Sequence, residues 1–121
     1  LWDACSLVEK LIVRAKKTIL LIDNWVSIET LDMLAKKGCG VEVTIVTSKR
    51  GNKLAASDIS KFNTQYPTLT LKESAAFHDR FLILDNKELY LIGASLKDLG
   101  KKCFAFTKMD GSQIQSITVR V

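Results

Sequence analysis

Five short apolar runs, TILLID, VEVTIVT, TLTLKE, RFLILD and ELYLIGA, constrain this chain more than any other feature. The first three are separated by segments with helical rather than alternating periodicity. TILLID is apolar on both faces, as a strand buried in the middle of a sheet must be. VEVTIVT alternates into a second strand, and TLTLKE is a shorter third. Before them, Leu1, Ala4, Leu7, Val8, Leu11, Ile12 and Ala15 recur at helical spacing and predict an opening amphipathic helix. Ser27 is placed to cap a helix striped by Ile28, Leu31, Leu34 and Ala35, with Gly38 as its stop. Leu54, Ile59 and Phe62 mark a third helix that Pro67 closes. RFLILD and ELYLIGA read as two strands joined by a hairpin-like connection at Asn86-Lys87. SLKDLGKK predicts a helical turn and CFAFTKM another strand. The tail from Asp110 is compatible with helix or strand.

Strand–helix–strand–helix–strand followed by hairpin-like strands predicts an α/β sandwich around a mixed sheet. In such sheets ligands gather at the carboxyl ends of the parallel strands. Asp23-Asn24 ends the first strand and Thr47-Ser48-Lys49 the second, so these polar groups are expected at one rim.

The chain has 121 residues, 47% of them apolar and 26% charged, and is read as a single domain over 1–121 with a core of its own. No apolar run is long enough to cross a bilayer, and no signal peptide is visible at the start. Beginning at Leu1 without methionine, the chain reads as a piece cut from a longer protein. Cys5, Cys39 and Cys103 are odd in number, widely spaced and free of any CxxC. They are expected as buried reduced thiols in a cytoplasmic protein rather than disulfides or zinc ligands. The net charge of +5 favours an anionic partner, with Lys16-Lys17, Lys49-Arg50-Lys53 and Lys97 with Lys101-Lys102 as basic clusters. Lys36-Lys37 reads as a solvated helix end. The aromatics Trp2, Trp25, Tyr66 and Tyr90 are too scattered to argue base stacking and are expected in core or edge packing.

Chemistry concentrates in FHDRFLILDNKELYLIGASLKD, which holds the only histidine, His78. Arg80 follows two positions later and Asp85 five after that. On an extended strand, positions 78 and 80 point the same way. An imidazole and a guanidinium so placed can act on one phosphate, the ring attacking phosphorus and the cation binding its oxygens.

Those residues resemble the His-x-Lys-x4-Asp signature of the phospholipase D superfamily, with Gly93-Ala94-Ser95 in place of its small Gly-Ser turn. Arg80 stands where lysine is usual, the glycine falls one residue later, and Leu96 and Lys97 occupy the region where an asparagine often follows. The resemblance implies a phospholipase D-like α/β/α sandwich with a mixed sheet. It also implies a phosphodiesterase in which His78 forms a phosphohistidine and Arg80 stabilises the phosphoryl oxygens. Asp85 completes the motif as a catalytic or turn-forming carboxylate, while Ser95 and Lys97 are candidate phosphate ligands beside Arg80. An attacking imidazole usually needs a carboxylate to hold its tautomer. Asp23, Asp79 or Asp110 is available, with Asp23 favoured for its place at the rim.

No cofactor or metal is expected, because protein cations meet the phosphate charge. A lone histidine cannot be both nucleophile and leaving-group acid. The resemblance therefore implies either a symmetric homodimer pairing two copies of His78, or a second motif elsewhere in the full-length protein. The expected partner is nucleic acid or another phosphodiester. The alternative is a non-catalytic phosphate- or DNA-binding domain of a bacterial DNA-associated protein that retains the pocket. A plain interaction domain would leave the His-Arg-Asp spacing to coincidence.

Overall fold

All five apolar runs become strands, and the order in which they pair explains the rest of the architecture. The structure, a computed structural model, describes residues 2–93 and 106–121. Helix α1 (Trp2–Arg14) leads into β1 (Thr18–Ile22), then α2 (Ile28–Leu34), β2 (Glu42–Thr47), α3 (Ala56–Gln65) and β3 (Leu69–Glu73). Strands β4 (Arg80–Leu84), β5 (Glu88–Ile92) and β6 (Phe106–Met109) follow, and the tail folds as a 3₁₀ turn (Gly111–Gln113) and helix α4 (Ile114–Thr118). The tail left open between helix and strand is thus helical, burying Ile114 and Ile117. The helical turn expected at SLKDLGKK and the start of CFAFTKM lie outside the described residues.

The six strands are ordered β3-β2-β1-β4-β5-β6. β1, β2 and β3 are parallel; β4 is antiparallel to β1, and each later strand is antiparallel to its predecessor. Two successive crossovers step in the same direction, from β1 to β2 to β3. Their right-handedness then places α2 and α3 on one face of the sheet. That face holds the larger core, where Val8, Leu11 and Ile12 of α1, Leu31 and Leu34 of α2 and Phe62 of α3 meet Leu21, Ile45 and Leu82 of the sheet. On the other face, Ile114 and Ile117 of α4 pack with Ile22, Val46, Ile83 and Leu89. The result is an α/β/α sandwich with a mixed sheet, thick on one side and thin on the other.

Four local expectations are corrected. α2 stops at Leu34 with Ala35 as cap, ahead of Gly38, and the positive φ of 80° belongs to Gly40. The β4–β5 turn is centred on Asp85 and Asn86, both at φ 55°, as the left-handed hairpin turn demands, with Lys87 N–H closing onto Leu84 O at 3.0 Å. Lys37 is buried instead of solvated. Its ammonium donates to Pro67 O at 2.9 Å, and desolvation holds its pKa below the ordinary lysine value. Cys39 is a free thiol but exposed, because it lies in the α2–β2 connection and not in the core.

After β3 the chain reverses. β4 does not extend the sheet beyond β3 but returns to pair with the far side of β1. Both the end of β3 and the start of β4 lie at the carboxyl ends of the parallel strands. Residues 74–79 must therefore cross the ends of β2 and β1, three inter-strand steps or about 14 Å. Six extended residues reach about 20 Å, so this strap has little slack.

Candidate functional site

β1 makes the site possible by ending in a polar pair. Asp23 N–H bonds to Val46 O at 2.9 Å, carrying the β1–β2 ladder one residue past the apolar run. Ile22 lies opposite Val46 on one side and Phe81 on the other. One step further, Asp23, Thr47 and Arg80 fall in a single row across three strands, their side chains on the face covered by α1, α2 and α3. Asp23 and Thr47 are fully buried.

A buried carboxylate needs a cation or several donors. Asp23 Oδ1 accepts Trp25 N–H at 2.9 Å and lies 3.8 Å from Arg80 Nε. That nitrogen is itself buried and, among the described residues, makes no hydrogen bond, whereas 33% of the Arg80 side chain is open to solvent. The guanidinium is thus anchored from inside by charge and remains accessible from outside. Thr47 Oγ1 is likewise buried without a hydrogen-bond partner among the described residues. At this rim the buried polar row has more donor capacity than the protein itself takes up.

His78 reaches the rim by another route than the sequence suggests. β4 begins at Arg80, so His78 is not on that strand but on the strap that crosses the strand ends. The strap is tied down on both sides of its crest. Ser74 N–H donates to Thr47 O at 2.9 Å, and Asn24 Nδ2 donates to Phe77 O at 2.8 Å. Phe77 is buried in the thinner core, and the guanidinium of Arg120 stacks 4.4 Å from its ring centroid while also bonding Ala76 O. His78 itself is exposed. Alternation along one strand therefore does not bring His78 and Arg80 together; His78 lies instead on the strap that crosses the strand ends.

The other expected site residues separate. Asp23 is at the rim, but its carboxylate pairs with Arg80, and among the described residues no carboxylate pairs with the imidazole. Asp85 lies at the far end of β4, one full strand from Arg80. Its carboxylate accepts from the backbone N–H groups of Lys16 (3.0 Å), Lys17 (2.6 Å) and Thr18 (3.1 Å), fastening the β4–β5 turn to the start of β1. Partial burial pushes its pKa up, but bonds from Lys17, Lys16 and Thr18, with the charge of Lys87, outweigh that and hold it below the ordinary carboxylate value. The expected catalytic role for Asp85 gives way to a structural one, because its oxygens are consumed by backbone donors away from the rim. Ser95 and Lys97 lie outside the described residues. Gly93, which follows β5 directly at the same rim, is the last described residue before them.

Two features of the rim escaped sequence reasoning. The loop after β1 and the loop after β2 are zipped together: Ser48 Oγ donates to Asn24 O at 2.9 Å, Val26 N–H to Gly51 O at 3.2 Å and Lys53 N–H to Val26 O at 3.0 Å. Gly51 is required there, since an added Cβ would stand 1.7 Å from Asn24 O. Trp25, on this double loop, is 40% exposed rather than packed in the core. Its position directly after the Asp23-Asn24 strand end was the available signal.

The chain is thus an α/β/α sandwich, a mixed six-stranded sheet between helices with polar strand ends meeting where the strand order reverses. No family model matches the sequence, and no curated protein matches it. Solved structures do share its fold. NucT from Helicobacter pylori superposes with a TM-score of 0.68 over 97% of this chain and 84% of its own, at 12% identity. TrmBL2, an archaeal chromatin protein whose structure shows a mode of DNA binding, superposes with a TM-score of 0.55 over 75% of this chain, at 22% identity. This chain spans 36% of the TrmBL2 chain. At such identities the likeness is one of fold. Among the described residues, no helix is long and apolar enough to cross a membrane.

Proposed function

We infer that this chain is a phosphodiesterase of the phospholipase D-like type that acts on nucleic acid through a phosphohistidine. One observation carries the reading: an exposed His78, on a strap pinned across the strand ends, lies two residues before an Arg80 whose guanidinium is anchored by the buried Asp23. The net charge of +5 and the polyanionic nature of nucleic acid support the substrate class.

In the first step an imidazole nitrogen of His78 attacks phosphorus. A P–N bond forms as the P–O bond to the leaving alcohol breaks, and the departing oxygen takes a proton from a general acid. Arg80 neutralises charge gathering on the non-bridging oxygens, with Ser95 and Lys97 as further donors to them. Water then attacks phosphorus while giving a proton back to the general acid of the first step, and the P–N bond breaks to return the His78 ring to its starting state. With one histidine in this sequence, the general acid is assigned to a second histidine, supplied either by another copy of His78 across the two-fold axis of a homodimer or by a second motif elsewhere in the full-length protein.

Hydrolysis of bis-p-nitrophenyl phosphate in EDTA tests the reading. Turnover that vanishes in His78→Ala supports it, and turnover unchanged by that substitution refutes it. A second reading, a DNA-binding domain without turnover, is favoured by the absence of a carboxylate partner for His78 among the described residues. The DNA binding described for TrmBL2 favours it too. It predicts salt-dependent DNA binding that survives His78→Ala, falls in Arg80→Ala and is accompanied by no hydrolysis.

A further inference from the structure

The double loop beside Arg80 has the composition and placement of a surface that grips a polyanion with planar groups. Asp23 Oδ1 both accepts Trp25 N–H at 2.9 Å and faces Arg80 Nε at 3.8 Å, so one oxygen fixes the Trp25 backbone next to the guanidinium. Val26, the next residue, pairs with Asn52 of the second loop. That pairing holds Trp25 close to Arg50, Gly51 and Lys53. Residues 48–57 carry Lys49, Arg50 and Lys53 and no carboxylate, and all three cations are exposed. Trp25, 40% exposed on a backbone this restrained, loses little further freedom when something stacks on it.

We propose that this rim is a platform for single-stranded nucleic acid, on which Trp25 stacks a base beside the phosphate held by Arg80 while Lys49, Arg50 and Lys53 follow the backbone. The proposal rests on the reading of Arg80 as a phosphate ligand. A duplex keeps its base faces stacked inside the helix, whereas an unpaired strand offers them to an aromatic ring. The strand would run from the double loop past Arg80 toward the strap bearing His78.

Fluorescence anisotropy of the whole chain with a labelled short oligothymidylate, an abasic strand of equal length, an oligouridylate and a duplex tests it. The wild type is expected to bind oligothymidylate or oligouridylate about tenfold more tightly than the abasic strand, and Trp25→Ala to lose most of that preference. Whichever sugar shows the larger preference names the natural strand. Trp25→Phe, which keeps an aromatic face, should retain part of it and guards against simple misfolding. Equal binding of the abasic strand, a preference untouched by Trp25→Ala, or a duplex bound as tightly as the single strand would overturn the platform. Arg80→Ala separates the two claims. If it weakens binding of every strand, abasic included, the phosphate site stands whatever Trp25 does. If a Trp25-dependent preference persists and Arg80→Ala has no effect, the platform stands and the phosphate reading falls.

Discussion

Removing Arg80 should destabilise the fold through the charge it leaves behind. Asp23 is fully buried, and Arg80 Nε lies 3.8 Å from its Oδ1. At that distance and an effective dielectric near 20, the attraction is about 4 kcal/mol. A third of the Arg80 side chain is solvent-exposed, so screening reduces the net value to about 2–3 kcal/mol. Arg80→Met should therefore lower the unfolding free energy by about 2–3 kcal/mol, chiefly because a fully buried carboxylate loses the cation beside it. Asp23→Asn keeps the oxygen that accepts Trp25 N–H and removes the charge. In the Arg80→Met background it should restore about half the loss, although alone it destabilises by about 1 kcal/mol. Urea unfolding followed by circular dichroism measures all four proteins, with the midpoint moving and the slope constant. If Arg80→Met costs less than about 0.5 kcal/mol, or the two substitutions simply add, Asp23 does not depend on Arg80 and the anchoring account is wrong.

His78→Ala should change stability by no more than about 0.5 kcal/mol, because the ring is exposed, while phosphodiester turnover falls by about 10³-fold or more; a thermal melt beside the kinetic assay checks both. Asp85→Asn should destabilise by about 1–2 kcal/mol at neutral pH, since the amide offers one acceptor oxygen to three backbone donors. The folded-state pKa of Asp85 is depressed, so its contribution is complete above the ordinary value of 3.8 and lost as pH falls through the folded value. The gap between wild type and Asp85→Asn should accordingly close under acid, read by urea midpoints at pH 7 and below pH about 4. Gly51→Ala should cost about 1–3 kcal/mol, because the added methyl meets the Asn24 backbone carbonyl and forces the double loop apart; hydrogen exchange should then rise at Val26 and Lys53.

Periodicity was enough to place the six described strands and the first three helices, because buried β-branched runs and helical stripes leave few local alternatives. The sequence also singled out Asp23 and the His78–Arg80 segment, through strand-end polarity and through spacing. It could not say what those groups touch. Arg80 and Asp23 are 57 positions apart, and they meet only because β4 returns to the free side of β1. His78 and Asp85 seemed parts of one motif on one strand, but a strand has two ends. The strap delivers His78 to the rim, and the turn hands Asp85 to the amides of Lys16, Lys17 and Thr18 at the opposite end. Trp25 looked like any scattered aromatic until two loops joined by long-range backbone hydrogen bonds held it at the surface, 40% exposed. Local free energies decide which residues are extended or helical. Which polar groups share a buried row is decided by the non-local pairing of strands, where the cost of an isolated charge selects the partner.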